Sequence, residues 1–295
     1  MVRDSANGII IKGIGGFYYV RTPGGVVECK AGGRLRLVDG GAPMVGDKVC
    51  IELEKDETGF VVEIAPRRNA LVRPPISNVD LLFIVASEAP PVTDPYLIDK
   101  VTVIAQQQGI KPVILLNKSD LAENGTLLAA YRLAGFTVYR VSAETGEGCA
   151  EVSALLRGCV SCFTGNSGVG KSSLLNRLAG LSLTTGGISG KIGRGKHTTR
   201  HVELIPLPGG GMVADTPGFS SFDITQMQRI QKEELQHLFP EISPLFGQCR
   251  FTGCSHIREP DCAVRRLLEE GKIAPSRYDS YVRLYNELKQ IKSWQ

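Results

Sequence analysis

The order of four short motifs constrains this chain more than any other feature. Asn117-Lys118-Ser119-Asp120 comes first, Ser142-Ala143 second, Gly165 to Ser172 third and Asp215-Thr216-Pro217-Gly218 last. The third has the form G-x-x-x-x-G-K-[ST], a glycine-rich loop whose backbone N–H groups close around phosphates. The first ends in a carboxylate suited to the two N–H donors on one edge of guanine, and the second is its companion on the purine side. The last suits a segment that orients a magnesium-bound water and touches a terminal phosphate. In an ordinary guanine-nucleotide fold the phosphate loop comes first. Here the base-reading half precedes it, which requires a circular permutation that cuts and rejoins the chain elsewhere while the site survives.

Local context supports each assignment. Gly165, Asn166, Ser167, Gly168, Val169 and Gly170 follow the apolar run Val160 to Phe163 and lead into Lys171, Ser172, Ser173 and the helical stretch Leu174 to Leu178. That helix points its positive end at the phosphates. Lys171 is expected to reach the β- and γ-phosphates, and Ser172 to hold Mg²⁺. Asn117-Lys118-Ser119-Asp120 follows the strand-like run Val113 to Leu116, at the carboxyl end of which ligands of open α/β sheets bind. Adenine offers the Asp120 carboxylate a mismatched edge, and an unmatched buried carboxylate is costly. Asn117 and Lys118 are expected to brace the base and the phosphate loop. Asp215 and the Gly218 amide, after Met212-Val213-Ala214, are expected at the Mg²⁺-bound water and the γ-phosphate.

Between the third and fourth motifs lies the basic segment Gly193-Arg194-Gly195-Lys196-His197-Thr198-Thr199-Arg200. It is placed to be a first switch, with Thr199, or Thr198 as the alternative, completing the Mg²⁺ shell. Its lysine and arginines are either a solvated loop or part of the switch. Where many such enzymes carry a water-orienting glutamine after the last glycine, this chain has Phe219. Either hydrolysis is slow or another group orients the water, and His197 is the candidate because imidazole works near neutral pH. A lone histidine is otherwise a structural residue.

Before residue 70 the texture is different. The short runs Ile9 to Ile11, Phe17 to Val20, Val26 to Cys29, Arg34 to Val38, Val49 to Leu53 and Phe60 to Ile64 are punctuated by paired glycines. This pattern predicts a small antiparallel barrel of OB type, serving either as a support for its neighbour or as an RNA-binding surface. The linker Pro66 to Pro75 is basic and proline-rich, and predicts an extended path at a domain boundary. Beyond it, continuous apolar runs alternate with helical patterns such as Tyr96 to Gln108, which indicates a parallel sheet buried on both faces.

The third segment contains Cys249, Cys254, His256 and Cys262 in the spacing C-x₄-C-x-H-x₅-C, four soft or borderline ligands within fourteen residues. They suit a closed tetrahedral Zn²⁺ site with no open position, so the metal is expected to be structural. Helices are expected from Ala263 to Gly271 and from Pro275 to Trp294. The stripe of Tyr278, Tyr281, Leu284, Tyr285, Leu288 and Ile291 reads as core packing. Arg250, Arg258, Arg265 and Arg266 either belong to the surface or face phosphates.

Composition adds limits. With 295 residues, 42% of them hydrophobic, the chain can bury more than one core. The boundaries expected are 1–68 for the barrel, 69–225 for the α/β domain and 226–295 for the metal-binding segment. Thirty-four basic residues against 30 acidic ones leave a charge of +4, which permits a nucleic-acid partner without announcing one. No apolar run spans a bilayer, and the start lacks the apolar core of a secretory signal, so no membrane partner and a cytoplasmic location are expected. Eight cysteines in such a chain do not imply disulfides. Cys159 and Cys162 have redox spacing, but on a strand they point to opposite faces.

Taken together, the barrel, NKSD before GNSGVGKSS before DTPG, the GKHTT segment and the Cys-Cys-His-Cys spacing resemble the bacterial ribosome small-subunit-dependent GTPase A family over essentially the whole chain. The resemblance implies hydrolysis of GTP to GDP stimulated by the small ribosomal subunit, a role in late maturation of that subunit, and rRNA contacts by both flanking domains, with the chain expected to be a monomer. That family also has an aliphatic or aromatic residue at the place of Phe219. The fold implied is α/β: a circularly permuted P-loop GTPase domain between an OB-like barrel and a mainly helical zinc-binding domain. Two rivals differ by experiment: a GTP-gated RNA-binding switch would lack multiple turnover, and an ATP-using protein would lose in nucleotide competition.

Overall fold

The computed structural model describes residues 5–37, 42–54, 57–122, 125–180, 202–215 and 230–290. Strands β1 (Ser5–Ile14), β2 (Phe17–Thr22), β3 (Gly25–Leu37), β4 (Lys48–Leu53) and β5 (Thr58–Ile64) close into a barrel in the order β1-β2-β3-β5-β4. Every pairing is antiparallel except β3 with β5. Period-two alternation sends Ile10, Val20, Cys29, Ile51 and Val61 inward, each almost wholly buried. Six β-rich runs yield five strands because Val26 to Cys29 and Arg34 to Leu37 lie on one strand. Gly32 and Gly33 fall within a register shift between Ala31 and Arg36, so this glycine pair bends β3 where a turn was expected.

The basic linker is anchored inside the protein. Short strands β6 (Ala70–Val72) and β7 (Pro75–Ser77) pair antiparallel. Arg67 grips the buried Asp47 with Nε on Oδ1 and Nη2 on Oδ2, both at 2.7 Å, and Asp47 also accepts from Ser77 Oγ at 2.6 Å and Met44 N at 2.8 Å. Arg68 reaches Asp80 at 2.8 Å, whose other oxygen accepts the Val160 N–H. Bidentate guanidinium–carboxylate geometry of this kind fixes orientation as well as charge, so the linker holds the barrel to the sheet.

The sheet contains β8 (Leu81–Ser87), β9 (Lys111–Asn117), β10 (Thr137–Arg140), β11 (Val160–Gly165), β12 (Leu204–Pro206) and β13 (Met212–Asp215), in the order β10-β9-β8-β11-β13-β12. It is parallel except at the edge, where β12 runs antiparallel to β13. Three residues ending in a proline carry too little pattern to announce that edge strand. Helices α1 (Pro95–Gln107), α2 (Thr126–Leu133), α3 (Cys149–Leu155) and α4 (Lys171–Ala179) cover the sheet. Leu82, Ile84, Ala86, Ile114 and Leu116 face one core, shared with α1 and α2, while Phe83, Val85, Val113 and Leu115 face another, shared with α3 and α4. The apolar runs are continuous because both faces are buried.

The C-terminal segment has 3₁₀ turns at Leu235–Leu238 and Ser243–Leu245 and helices α5 (Ala263–Glu269) and α6 (Pro275–Gln290). The expected continuation to Trp294, with Ile291, lies outside the described residues. Arg277 of α6 is wholly buried, on Asp99 of α1 and on both Glu241 oxygens at 2.7 and 3.1 Å. Its guanidinium lies 4.5 Å from the Phe239 ring centroid and 5.0 Å from that of Phe136. Tyr131 of α2 donates to Asp99 at 2.6 Å. Burial pushes the Asp99 carboxyl above its ordinary range, and Arg277 pulls against that shift. Removing the cation leaves two buried carboxylates unpaired. Arg277→Met should therefore destabilise the protein by about 3–5 kcal/mol, read as a fall in the denaturant midpoint of a transition that reports on α6.

Candidate functional site

The ends of β9, β10 and β11 meet at one edge of the sheet, and Asn117 joins what they carry. Its side chain is buried, with Nδ2 donating to the Val169 carbonyl at 2.8 Å and Oδ1 accepting the Ala143 N–H at 3.0 Å. One carboxamide thus fastens the first motif to the second and to the phosphate loop. A Cβ on Gly170 would stand 2.5 Å from Asn117 Nδ2, and the residue has φ +85°, so only glycine fits there. Lys118 adopts φ 64°, a left-handed conformation that a side chain rarely tolerates without function. Its Nζ donates to the Pro90 carbonyl at 2.7 Å, and Pro91 packs 3.2 Å from where a Gly168 Cβ would lie. The turn after β8 therefore closes one side of the phosphate loop, a role the sequence pattern gave no signal for beyond a Pro-Pro pair.

Ser119 donates to Glu147 at 2.8 Å, tying the first motif to the second loop again, and Asp120 is exposed in the turn that follows. Ser142 is buried and accepts the Thr145 N–H on its hydroxyl. Gly165 ends β11, Asn166, Ser167 and Gly168 form the turn, Val169 is buried in the core below, and Lys171 opens α4 with its side chain mostly buried. Gly170 stands at the N-cap of α4 without a side chain to cap it, and the positive end of the helix, with Ser172 and Ser173 in its first turn, faces the phosphate-loop turn. Asp215 ends β13, but its side chain and the residues His197, Thr198, Thr199, Gly218 and Phe219 lie outside the described residues.

The C-terminal cluster forms as a unit. The ligand atoms of Cys249, Cys254, His256 and Cys262 lie within 4.8 Å of one another. His256 Nδ1 is 3.5 Å from Cys249 Sγ and 3.4 Å from Cys262 Sγ, and those sulfurs are 3.9 Å apart. These separations match the edges of a tetrahedron with metal–sulfur bonds of about 2.3 Å, so the cluster could hold a metal ion. With Nδ1 given to the metal, Nε2 carries the proton and donates to Gln236 Oε1 at 3.0 Å, which fixes the ring. Burial pushes the Cys254 thiol up to about 12 and holds the His256 imidazole below its ordinary value. A bound cation reverses the first effect and accepts the neutral imidazole as it stands.

Other residues hold the cluster's loop, and sequence reasoning missed them. Glu259 accepts from Ser255 N and Oγ at 2.8 and 2.6 Å and from Ile257 and Arg258 N–H at 3.1 and 3.0 Å. Burial raises its carboxyl, yet these donors outweigh it and set the value at about 2. Tyr278 donates to the His256 carbonyl and Tyr281 to that of Ser255, so the tyrosine stripe both packs and supports the metal loop. Among the arginines, Arg250 pairs with Asp261 and Arg265 donates to the Glu259 carbonyl. Cys162 is buried, with its thiol pushed up to about 12, and burial raises Cys159 as well, which leaves both as neutral thiols. Loading the metal-stripped protein with Co²⁺ should give the absorption of a tetrahedral thiolate site, and Cys254→Ala should weaken metal retention by at least about ten-fold.

Residues 64–225 match the RsgA GTPase family and residues 7–61 the RsgA N-terminal domain. A Caldanaerobacter subterraneus subsp. tengcongensis protein named small ribosomal subunit biogenesis GTPase RsgA is 45% identical over 291 residues, 97% of each chain. A Geobacillus kaustophilus protein of the same name is 44% identical over 294 residues, 97% of this chain and 99% of its own. Among solved structures, YjeQ from Thermotoga maritima has a TM-score of 0.81 at 33% identity, covering 98% of this chain and 100% of the other. YloQ, titled a circularly permuted GTPase, has a TM-score of 0.80 at 37% identity, covering 99% of this chain and 98% of its own. With full-length relatives this similar and both domain matches in sequence order, the chain belongs to the RsgA family of GTPases.

Proposed function

We propose that this protein hydrolyses GTP to GDP and phosphate and acts in the maturation of the small ribosomal subunit, which stimulates its turnover. The Asn117 brace carries the nucleotide reading, because it sets a base-reading loop and a phosphate loop at one sheet edge. The names of the full-length relatives support the ribosomal part. In this reading Asp120 receives the guanine N–H pair, Ser142 and Ala143 flank the base, and Lys171 and the α4 N-terminus neutralise the phosphates. Ser172 and Thr199 would hold Mg²⁺, which would supply positive charge beside the phosphoryl oxygens, while Asp215 would orient a Mg²⁺-bound water and the Gly218 amide would touch the terminal phosphate. His197 orients the water that Phe219 cannot. The cluster at Cys249, Cys254, His256 and Cys262 holds one structural Zn²⁺.

The three-part division at 68 and 225 follows the same logic. The barrel presents Lys30 over the Phe17 ring at 5.2 Å and Lys12 near Tyr19 at 6.0 Å, cation–aromatic pairs of the kind that meet phosphates and bases of rRNA. No helix among the described residues is long and apolar enough to cross a membrane. The ribosomal role printed in the relatives' names supports work in the cytoplasm, and the protein is taken to act there as a monomer.

Four outcomes test this reading. Asp120→Asn should weaken GTP binding on the order of 100-fold and gain affinity for xanthine nucleotides, because an amide can donate to the oxygen that replaces the guanine amino group; unchanged GTP binding removes the assignment. Purified protein should carry about one Zn²⁺ per chain by metal analysis. Multiple-turnover phosphate release should be slow alone and rise at least about ten-fold with small subunits but not large ones, the stimulation falling as salt rises. His197→Ala should bind the subunit and lose that stimulation; full stimulated turnover in this variant excludes a catalytic His197, and equal wild-type turnover without subunits excludes the gated mechanism.

A further inference from the structure

We infer that Arg177 is a positioning residue for guanine-nucleotide binding, one that clamps the base-side loop to the helix that follows the phosphate loop. This rests on the nucleotide reading above. Arg177 lies in the last turn of α4, and its guanidinium donates to three successive carbonyls of the loop after β10: Nη1 to Ala143 at 3.0 Å and Glu144 at 3.1 Å, Nη2 to Thr145 at 3.1 Å. The loop is shaped to receive it. Gly146 has φ +90°, and a Cβ there would lie 2.5 Å from Arg177 Nη2.

The loop closes on itself through Ser142 N–H to the Glu147 carbonyl at 3.0 Å, Gly146 N–H to the Ser142 carbonyl at 2.9 Å and Thr145 N–H to Ser142 Oγ at 3.0 Å. Its carbonyls at 143, 144 and 145 are then turned outward to one side, where a planar fork of donors can serve them together and a lysine ammonium cannot. Ala143 is held from both directions, its N–H on Asn117 of β9 and its carbonyl on Arg177 of α4. Ser153 of α3 adds a bond to the Leu178 carbonyl at 3.4 Å. The backbone that meets the base is thus ordered before nucleotide arrives, and ordering it in advance removes an entropic cost from binding.

Arg177 is exposed, so its hydrogen bonds contribute little to the stability of the fold. That separates a positioning role from a structural one. Without the clamp, the loop holds its binding-competent form for a fraction of the time, and apparent affinity falls by that fraction. In the full-length protein, Arg177→Ala should raise the GDP dissociation constant about 10-fold, with faster release. Competition by inorganic tripolyphosphate, which has no base, and the unfolding midpoint of the nucleotide-free protein should stay at wild-type values. Arg177→Lys, which can serve one carbonyl at a time, should fall between and serves as the second variant if the alanine form folds poorly. Unchanged GDP affinity in the variants overturns the inference, as does an equal loss for GDP and tripolyphosphate. A wild-type protein that shows no preference for guanine nucleotides overturns the nucleotide reading instead.

Discussion

The carboxamide of Asn117 is the contact on which the nucleotide site depends. The base-side loop leaves β10, the phosphate loop leaves β11, and β8 lies between β9 and β11 in the sheet, so backbone pairing alone does not fix one loop against the other. A single side chain at the end of β9 does, with one donor group on Val169 and one acceptor on Ala143. Asparagine suits the place because it offers both functions in a plane, and burial makes each bond costly to leave unmade. Aspartate could not donate to Val169, and a longer side chain would collide with the close approach at Gly170.

That brace also explains how the motif order tolerates permutation. Neither bond of Asn117 depends on which loop comes first along the chain, only on which strand ends share an edge. The sheet order β10-β9-β8-β11-β13-β12 keeps those ends together whichever connection is cut. The new ends of the α/β domain then fall at β8 and after β13, where a barrel and a metal-binding segment can be attached without entering the site.

Much of this was legible in the sequence, for physical reasons. Motifs such as Gly165 to Ser172 are local, since the loop's function is set by glycines and a helix start a few residues apart, and the cysteine–histidine spacing is local in the same way. Continuous apolar runs identified the buried sheet because both faces are covered. What could not be read are contacts between residues far apart in sequence: Lys118 with Pro90, His256 with Gln236, Arg277 with Asp99. Gly32-Gly33 misled for a related reason, because a glycine pair permits a turn or a bend and only the pairing with β5 decides between them.

The two appended modules are held to the α/β domain by bonds of different character. The metal-binding segment is fastened through Arg277, wholly buried among Asp99, Glu241 and aromatic rings, where loss of the cation strands two buried carboxylates. The barrel is anchored at the linker by the buried Asp47–Arg67 pair, but its reach to β12 is an exposed one: Lys12 pairs with Glu203 at 3.1 Å, with about a third of each side chain still accessible. Such a pair is worth about 1 kcal/mol or less and weakens with salt. Lys12 also sits near Tyr19 on the outer surface of the barrel. A polyanion that takes Lys12 therefore competes with Glu203 for the same cation, and Glu203 lies three residues beyond the segment Gly193 to Arg200 in sequence. Besides its buried anchor at the linker, the barrel thus has a replaceable contact at the strand that follows the basic segment, while Arg277 joins the metal-binding segment to α1, the helix that follows β8. Within the barrel's attachment, the Lys12–Glu203 pair is the part that binding at its surface can change, because the Asp47–Arg67 pair stays buried.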